Sequence, residues 1–165
     1  MWVLCAKNLD TGEKMHWLEG DMGWQDALSN ASLLVGHNIL GFDLLALEKL
    51  FNFRVPKNCK VHDTFLMSAI LDYRRFGNKG HSLATWGESL GLPKIDFEDF
   101  SQYSEDMLTY CERDVDLNAE VYKTLVDELK VKALKAPKLS QYLRVEHAAA
   151  KWIGAASLYG WPFDV

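Results

Sequence analysis

Apolar and polar positions change their rhythm twice along the chain. Residues 2–8 and 14–19 are apolar or alternating runs on either side of Leu9-Asp10-Thr11-Gly12-Glu13, which predicts two strands closed by a glycine-containing turn. Residues 23–30 allow a short helix, and residues 32–37 form an apolar run of the length expected for a buried strand. From Asp43 the spacing becomes helical. Leu44, Leu47 and Leu50 share one face, Leu45 and Phe51 lie beside it, and Asp43 takes the N-cap. Two further helices are predicted over 64–72 and 82–90, with Asp63 and Ser82 as caps and Gly91 as a stop. A polar loop from Tyr73 to His81 separates them.

The longest helix is expected from about Ser104 to Leu129. Met107, Cys111, Val115, Val121, Leu125 and Leu129 hold its apolar row, and Asn118 breaks it. The basic stretch Lys130 to Lys138, around Pro137, reads as a solvated linker. A last helix follows from Ser140 to Leu158 and ends at Tyr159-Gly160-Trp161-Pro162. The pattern is that of an α/β protein, with strands before residue 62 and helices after it.

Composition narrows the class. Of 165 residues, 48% are hydrophobic and 25% charged, which excludes a mainly disordered chain. Lys and Arg number 18 against 23 Asp and Glu, a formal charge of −5. A protein that coats duplex by neutralising phosphate carries the opposite sign, whereas an enzyme that borrows its positive charge from metal ions need not. Cys5, Cys59 and Cys111 include no CxxC pair, which speaks against a disulfide framework or zinc knuckle and for a reducing compartment. No apolar run approaches the roughly 20 residues that span a bilayer, so a soluble, cytoplasmic protein is expected.

Two clusters carry candidate chemistry. His37-Asn38-Ile39-Leu40-Gly41-Phe42-Asp43 leads from a strand end into a helix, and Tyr110-Cys111-Glu112-Arg113-Asp114 lies inside the long helix. The spacing of four puts Tyr110 and Asp114 on one face, one turn apart. A phenol beside a carboxylate can hold a water next to a metal ion, and Asp43 offers a second carboxylate. Hard oxygen ligands suit Mg²⁺ or Mn²⁺, and two such ions about 4 Å apart clamp the attacking and leaving oxygens of a phosphodiester. Taken singly, each signal has a plainer meaning: Asp43 and Asp63 are helix caps, Tyr110 with Asp114 is a helix face, and His37, His62, His81 and His147 lack ligand spacing.

Order and spacing together say more. Asn-x3-Phe-Asp after a strand, then Tyr-x3-Asp in a later helix, resembles the second and third motifs of the DEDD exonuclease superfamily, in its tyrosine-bearing branch. The hairpin around Asp10, Val61-His62-Asp63-Thr64 and His81-Ser82-Leu83-Ala84-Thr85-Trp86-Gly87 are similar to the proofreading domain of phage family A DNA polymerases. So is the tail, Val145-Glu146-His147 through Gly160-Trp161-Pro162-Phe163-Asp164, which in that family joins the exonuclease to the polymerase. The likeness covers nearly the whole chain.

The resemblance implies a ribonuclease H-like mixed sheet flanked by helices. It implies an exonuclease domain over residues 1–136 and, over 137–165, a connecting helix toward a polymerase domain in the same or a partner chain. The implied activity is metal-dependent 3′→5′ hydrolysis of phosphodiester bonds at a single-stranded DNA 3′ end. By match of motif, Asp114 ligates the first of two Mg²⁺ or Mn²⁺ ions and Asp43 serves the second. Tyr110 orients the attacking water, and Asn38 holds the substrate end or the motif. One motif has no counterpart: Asp-x-Glu at the end of a first strand, which supplies the other two carboxylates. Asp10 and Glu13 are spaced differently and lie in a turn. The chain therefore reads as beginning one central strand late, as a stretch of a longer polymerase or a chain that pairs with a separately encoded piece. Two competing readings are a degenerate exonuclease fold that is structural or holds DNA, and a ribonuclease D-like RNA-trimming enzyme.

Overall fold

A computed structural model describes residues 3–160. Trp2 of the first predicted strand and the tail Trp161-Pro162-Phe163-Asp164 lie outside the described residues. Strands β1 (Val3–Lys7) and β2 (Lys14–Leu18) pair antiparallel, with Cys5 opposite His16. The Asn8 side chain accepts from the amides of Asp10 and Thr11, and Gly12 takes the positive φ of 78° that closes the turn. Helix α1 spans Gly23–Ser29. Strand β3 (Leu33–Gly36), helix α2 (Asp43–Phe51) and strand β4 (Lys60–Asp63) form a parallel crossover with Gly36 beside Asp63. Strand β4 follows the polar Pro56–Lys60 stretch and only four residues form it, so it carries no periodic signal of its own.

Helix α3 (Thr64–Leu71) starts on Asp63, and α4 (Leu83–Leu90) starts on Ser82, whose Oγ accepts from the Thr85 amide. Gly91 ends α4 at φ 66°, as its place in the sequence predicts. Asp43 is different: it is the first residue of α2, not its cap. Phe42 occupies the cap position and its side chain makes no capping bond. The Asp43 carboxylate is thereby left for other work.

Helix α5 runs from Glu105 to Lys135, 31 residues, or about 46 Å. Ser104 caps it through the Met107 amide. The expected linker beginning at Lys130 is mostly helix, because Lys, Ala and Leu are good helix formers and the helix ends just before Pro137. Lys132 anchors that extension on Glu128, at 2.8 Å, and on the Leu71 carbonyl. Helix α6 spans Leu139–Tyr159 and packs against α2, α3 and α5.

The two strand pairs are separate sheets. Helix α5 is the element they share. Lys7 and Lys14 reach Asp116 at 2.7 and 3.4 Å from the β1–β2 hairpin. From the other side, Thr64 donates to Asn118 at 2.7 Å, and His62 meets the Tyr122 hydroxyl at 2.9 Å. Asn118, the polar break in the apolar row, is therefore an attachment point. One core lies among α3, α4, α5 and α6, formed by Met67, Leu71, Trp86, Leu117, Val121, Leu125 and Leu143. The other holds Trp24, Leu47 and Phe53, with Leu4 and Trp17 of the hairpin against them. Leu117 is the innermost residue where the sequence row pointed to Val115, which is only half-buried. Among the described residues no helix is long and apolar enough to cross a membrane.

Val121 and Leu125 are fully buried on α5, while Leu134 near its end is 84% exposed. Leu125→Ala is expected to cost about 2–5 kcal/mol through lost burial and a residual cavity. Leu134→Ala should stay within about 0.5 kcal/mol of the parent. Urea unfolding of both variants checks the direction in which α5 faces.

Candidate active site

The loop from His37 to Phe42 connects β3 to α2 and is held from beneath by one buried carboxylate. Asp63, at 1% exposure, accepts from the Asn38 amide at 2.9 Å through Oδ1 and from the Leu40 amide at 3.2 Å through Oδ2. The same Oδ1 accepts from the amides of Phe65 and Leu66, at 3.0 and 3.4 Å, and so caps α3. Sequence reasoning finds the cap but not the two loop bonds, which come from 23 and 25 residues away. The Asp63 amide donates to His147 Nε2 at 2.9 Å, and His147 Nδ1–H donates to the Leu143 carbonyl at 2.8 Å. One residue thus ties the loop, α3 and α6 together.

Inside the loop Asn38 sits at φ 60°, a left-handed conformation that Asn tolerates better than most residues. A Cβ on Gly41 would meet Asn38 Oδ1 at 2.5 Å, and one on Gly36 would meet the Ile39 Cβ at 2.6 Å. These glycines let the loop fold back on itself. Asn38 lines a cleft of about 330 Å³ together with Leu40, Leu45, Phe65, Ile153 and Gly154.

Asp43 is exposed at the first turn of α2. Lost hydration, with the Asp63 charge adding to it, pushes its carboxyl up to about 6. On α5, Tyr110 and Asp114 converge on one cation. Lys94 Nζ lies 2.7 Å from Asp114 Oδ2 and 2.9 Å from the Tyr110 hydroxyl, to which it donates, and 4.8 Å from the centre of the Tyr110 ring. Phe97 and Phe100 pack against the same ring with centroids at 5.7 and 5.9 Å. Among the described residues Asp114 Oδ1 is buried without a hydrogen-bond partner. The charges of both Asp114 and Asp43 act on the Cys111 thiol between Tyr110 and Glu112. Cys111 in turn hydrogen-bonds Cys5 of β1 and, with burial, keeps that thiol protonated.

His37 completes the surroundings. Its Nδ1 meets Thr64 Oγ1 at 2.9 Å, and that hydroxyl donates to Asn118. Burial holds the ring's pKa below the usual histidine range despite the opposing Asp63 charge and a hydrogen bond to the His81 backbone. The sequence offered no spacing by which to find His37, Lys94, Phe97 or Phe100. Lys94 stands 16 residues before Tyr110, in a stretch without helix or strand.

Asp114 Oδ1 is a hard oxygen of the kind divalent ions take, but it offers a single ligand on a carboxylate that Lys94 already neutralises. Among the described residues no group of three or more His, Cys, Asp or Glu side chains is placed to hold a metal. Glu112 is occupied with Lys14 at 2.8 Å. No family model matches the chain, and neither a curated protein nor a solved structure matches it.

Two expectations follow. Asp63→Asn leaves one oxygen where two served four amides and turns an NH2 toward an N–H. It should destabilise the fold by about 2–4 kcal/mol in urea. Asp43 binds its proton more tightly folded than unfolded, so stability falls as pH rises from about 4 through 6. Asp43→Asn has no such fall. It should be the more stable chain near pH 7, with the advantage vanishing toward about pH 4, as urea midpoints across that range would register.

Proposed function

We propose that this chain is the 3′→5′ exonuclease domain of a phage-type family A DNA polymerase, with a ribonuclease H-like fold. It acts on a single-stranded DNA 3′ end, in the cytoplasm of the host cell where the source is a virus. The observation that carries the reading is the convergence of Tyr110 and Asp114 on one cation position, with a bare Asp114 oxygen beside it. The Asp43 charge, like that of Asp114, is felt at Cys111, which is consistent with the two carboxylates serving one site.

In this reading Asp114 and Asp43 would hold Mg²⁺ or Mn²⁺, and the ion would supply phosphoryl polarisation and charge compensation at the leaving oxygen. The Tyr110 hydroxyl holds the attacking water by a hydrogen bond and sets its line of approach. Its ring is kept in place by Phe97, Phe100 and Lys94, so this orientation needs no rearrangement. Asn38, at the mouth of the cleft with its backbone pinned on Asp63, holds the substrate end or its own loop. A degenerate, structural or DNA-holding fold is the second reading, favoured by the absence of a third metal-placed carboxylate among the described residues.

Digestion of a labelled single-stranded oligonucleotide with Mg²⁺, with and without chelator, decides between them. The 165-residue chain should digest it slowly or not at all. The same chain preceded by a strand bearing Asp-x-Glu should digest it from the 3′ end in a chelator-sensitive way. In that longer chain Asp114→Ala should abolish turnover, and Tyr110→Phe should lower it by about 10²–10⁴-fold at most, since metal binding survives. Vigorous chelator-sensitive digestion by the short chain would overturn the need for the added strand. Inertness of the longer, folded chain would favour the degenerate reading.

A further inference from the structure

We propose that Cys5 and Cys111 are a reactive dithiol: a low-molecular-weight disulfide oxidises them to one Cys5–Cys111 disulfide, which clamps the β1–β2 hairpin onto α5 beside Tyr110. Alternation along β1 sends its side chains two ways. Leu4 goes with Trp17 of β2 to the core around Trp24, whereas Lys7, on the other face, reaches Asp116 of α5 at 2.7 Å. Cys5 shares the face of Lys7. Its cross-strand partner His16 lies with Nδ1 3.5 Å from Glu112, the residue after Cys111, and Lys14 reaches the same carboxylate at 2.8 Å. These contacts bring the middle of β1 over the turn of α5 that carries Cys111. There the two thiols are hydrogen-bonded to each other, and the Cys111 sulfur accepts from the Cys5 amide as well. Two cysteines far apart in sequence are thus in contact through tertiary packing.

The pair is asymmetric. Cys5 donates and Cys111 accepts, so the bonds to the Cys111 sulfur hold its thiol below the usual cysteine range against burial, while Cys5 keeps its proton. Cys111 is therefore the nucleophile and Cys5 the resolving thiol. The Cys111 thiolate attacks one sulfur of the small disulfide, whose S–S bond breaks. A mixed disulfide forms on Cys111 and one thiolate leaves, taking up the proton that Cys111 released. Cys5 then loses its proton, and its sulfur attacks that of Cys111 and expels the second thiolate, which is protonated in turn. Two protein thiols are oxidised to one disulfide, and one reagent disulfide is reduced to two thiols. Both cysteines are only half-buried, which gives a small reagent access. The ion pairs that tie the hairpin to α5 have side chains 25–40% exposed and are individually weak, so a covalent bond dominates the attachment once it forms. Cys59 is the internal control, because its thiol donates to the Lys60 carbonyl at 3.4 Å instead.

Incubation of the reduced 165-residue chain with oxidised glutathione, then acid quench, alkylation and peptide mass spectrometry without reductant, tests this. The expected product is a cross-linked Cys5–Cys111 peptide, with Cys59 alkylated or carrying glutathione, and dithiothreitol should return the free thiols. The cross-link should form at least about tenfold faster in the folded chain than in urea, because folding holds the two sulfurs together. Cys5→Ser should accumulate glutathione on Cys111, since the resolving thiol is gone. Three outcomes overturn the pairing: disulfides to Cys59 as frequent as Cys5–Cys111, a lasting glutathione adduct on Cys111 of the parent, or no reaction at either thiol. The clamp is read on the unaltered protein. Its urea midpoint should be higher oxidised than reduced, because the cross-link restrains the unfolded chain. An equal or lower midpoint overturns the clamp, since closing the bond then strains the packing of β1 on α5.

Discussion

Four amides on one buried carboxylate hold this site together. Asp63 accepts from Asn38, Leu40, Phe65 and Leu66 and donates its own amide to His147. Hydrogen bonds to a charged acceptor are each worth about 1.5–3 kcal/mol, and burial of the charge without them would be prohibitive. The arrangement is all or nothing: the acid is tolerated because the loop closes on it, and the loop closes because the acid is there. The end of β4 thereby sets the position of Asn38 and of the start of α2, where Asp43 stands.

Helix α5 plays the corresponding role for the other half. Lys7 and Lys14 bind its Asp116, Thr64 and His62 bind its Asn118 and Tyr122, and its Leu117, Val121 and Leu125 fill the larger core. Tyr110 and Asp114 ride on the same rod. A helix that is bonded to both sheets keeps one turn of its surface facing the site, so the phenol and the carboxylate inherit their register from contacts made elsewhere.

Charge explains why the site contains a lysine. The chain carries a formal −5, and Asp43, Asp63 and Asp114 are gathered around Cys111 and the loop. Each handles its charge differently. Asp63 uses amides, Asp43 holds its proton to about 6, and Asp114 uses Lys94. Three carboxylates thus meet their charge in three different ways.

Most of the elements were legible along the chain, because short-range rules govern them. Ser82, Asp63 and Gly91 act as caps or stops where their types predict, and the apolar row of α5 faces inward, whereas on α2 Leu47 is buried but Leu50 is 64% exposed. Tyr110 and Asp114 share a face because a spacing of four in a helix allows nothing else. Departures arose where distant contacts overrule local preference. Asp43 lost the cap position to Phe42, Lys130 to Lys135 joined the helix, and four residues became β4 through pairing with β3. Lys94, His37 and the second pair of bonds to Asp63 lay beyond any pattern in sequence, since no periodicity connects residues 16 to 27 positions apart outside one element. The sequence by itself determined which side chains were available and which local faces they occupy. Tertiary packing alone decided which carboxylate is capped by amides, which has its pKa raised by lost hydration, and which is neutralised by a lysine, because those choices depend on what the folded chain brings close.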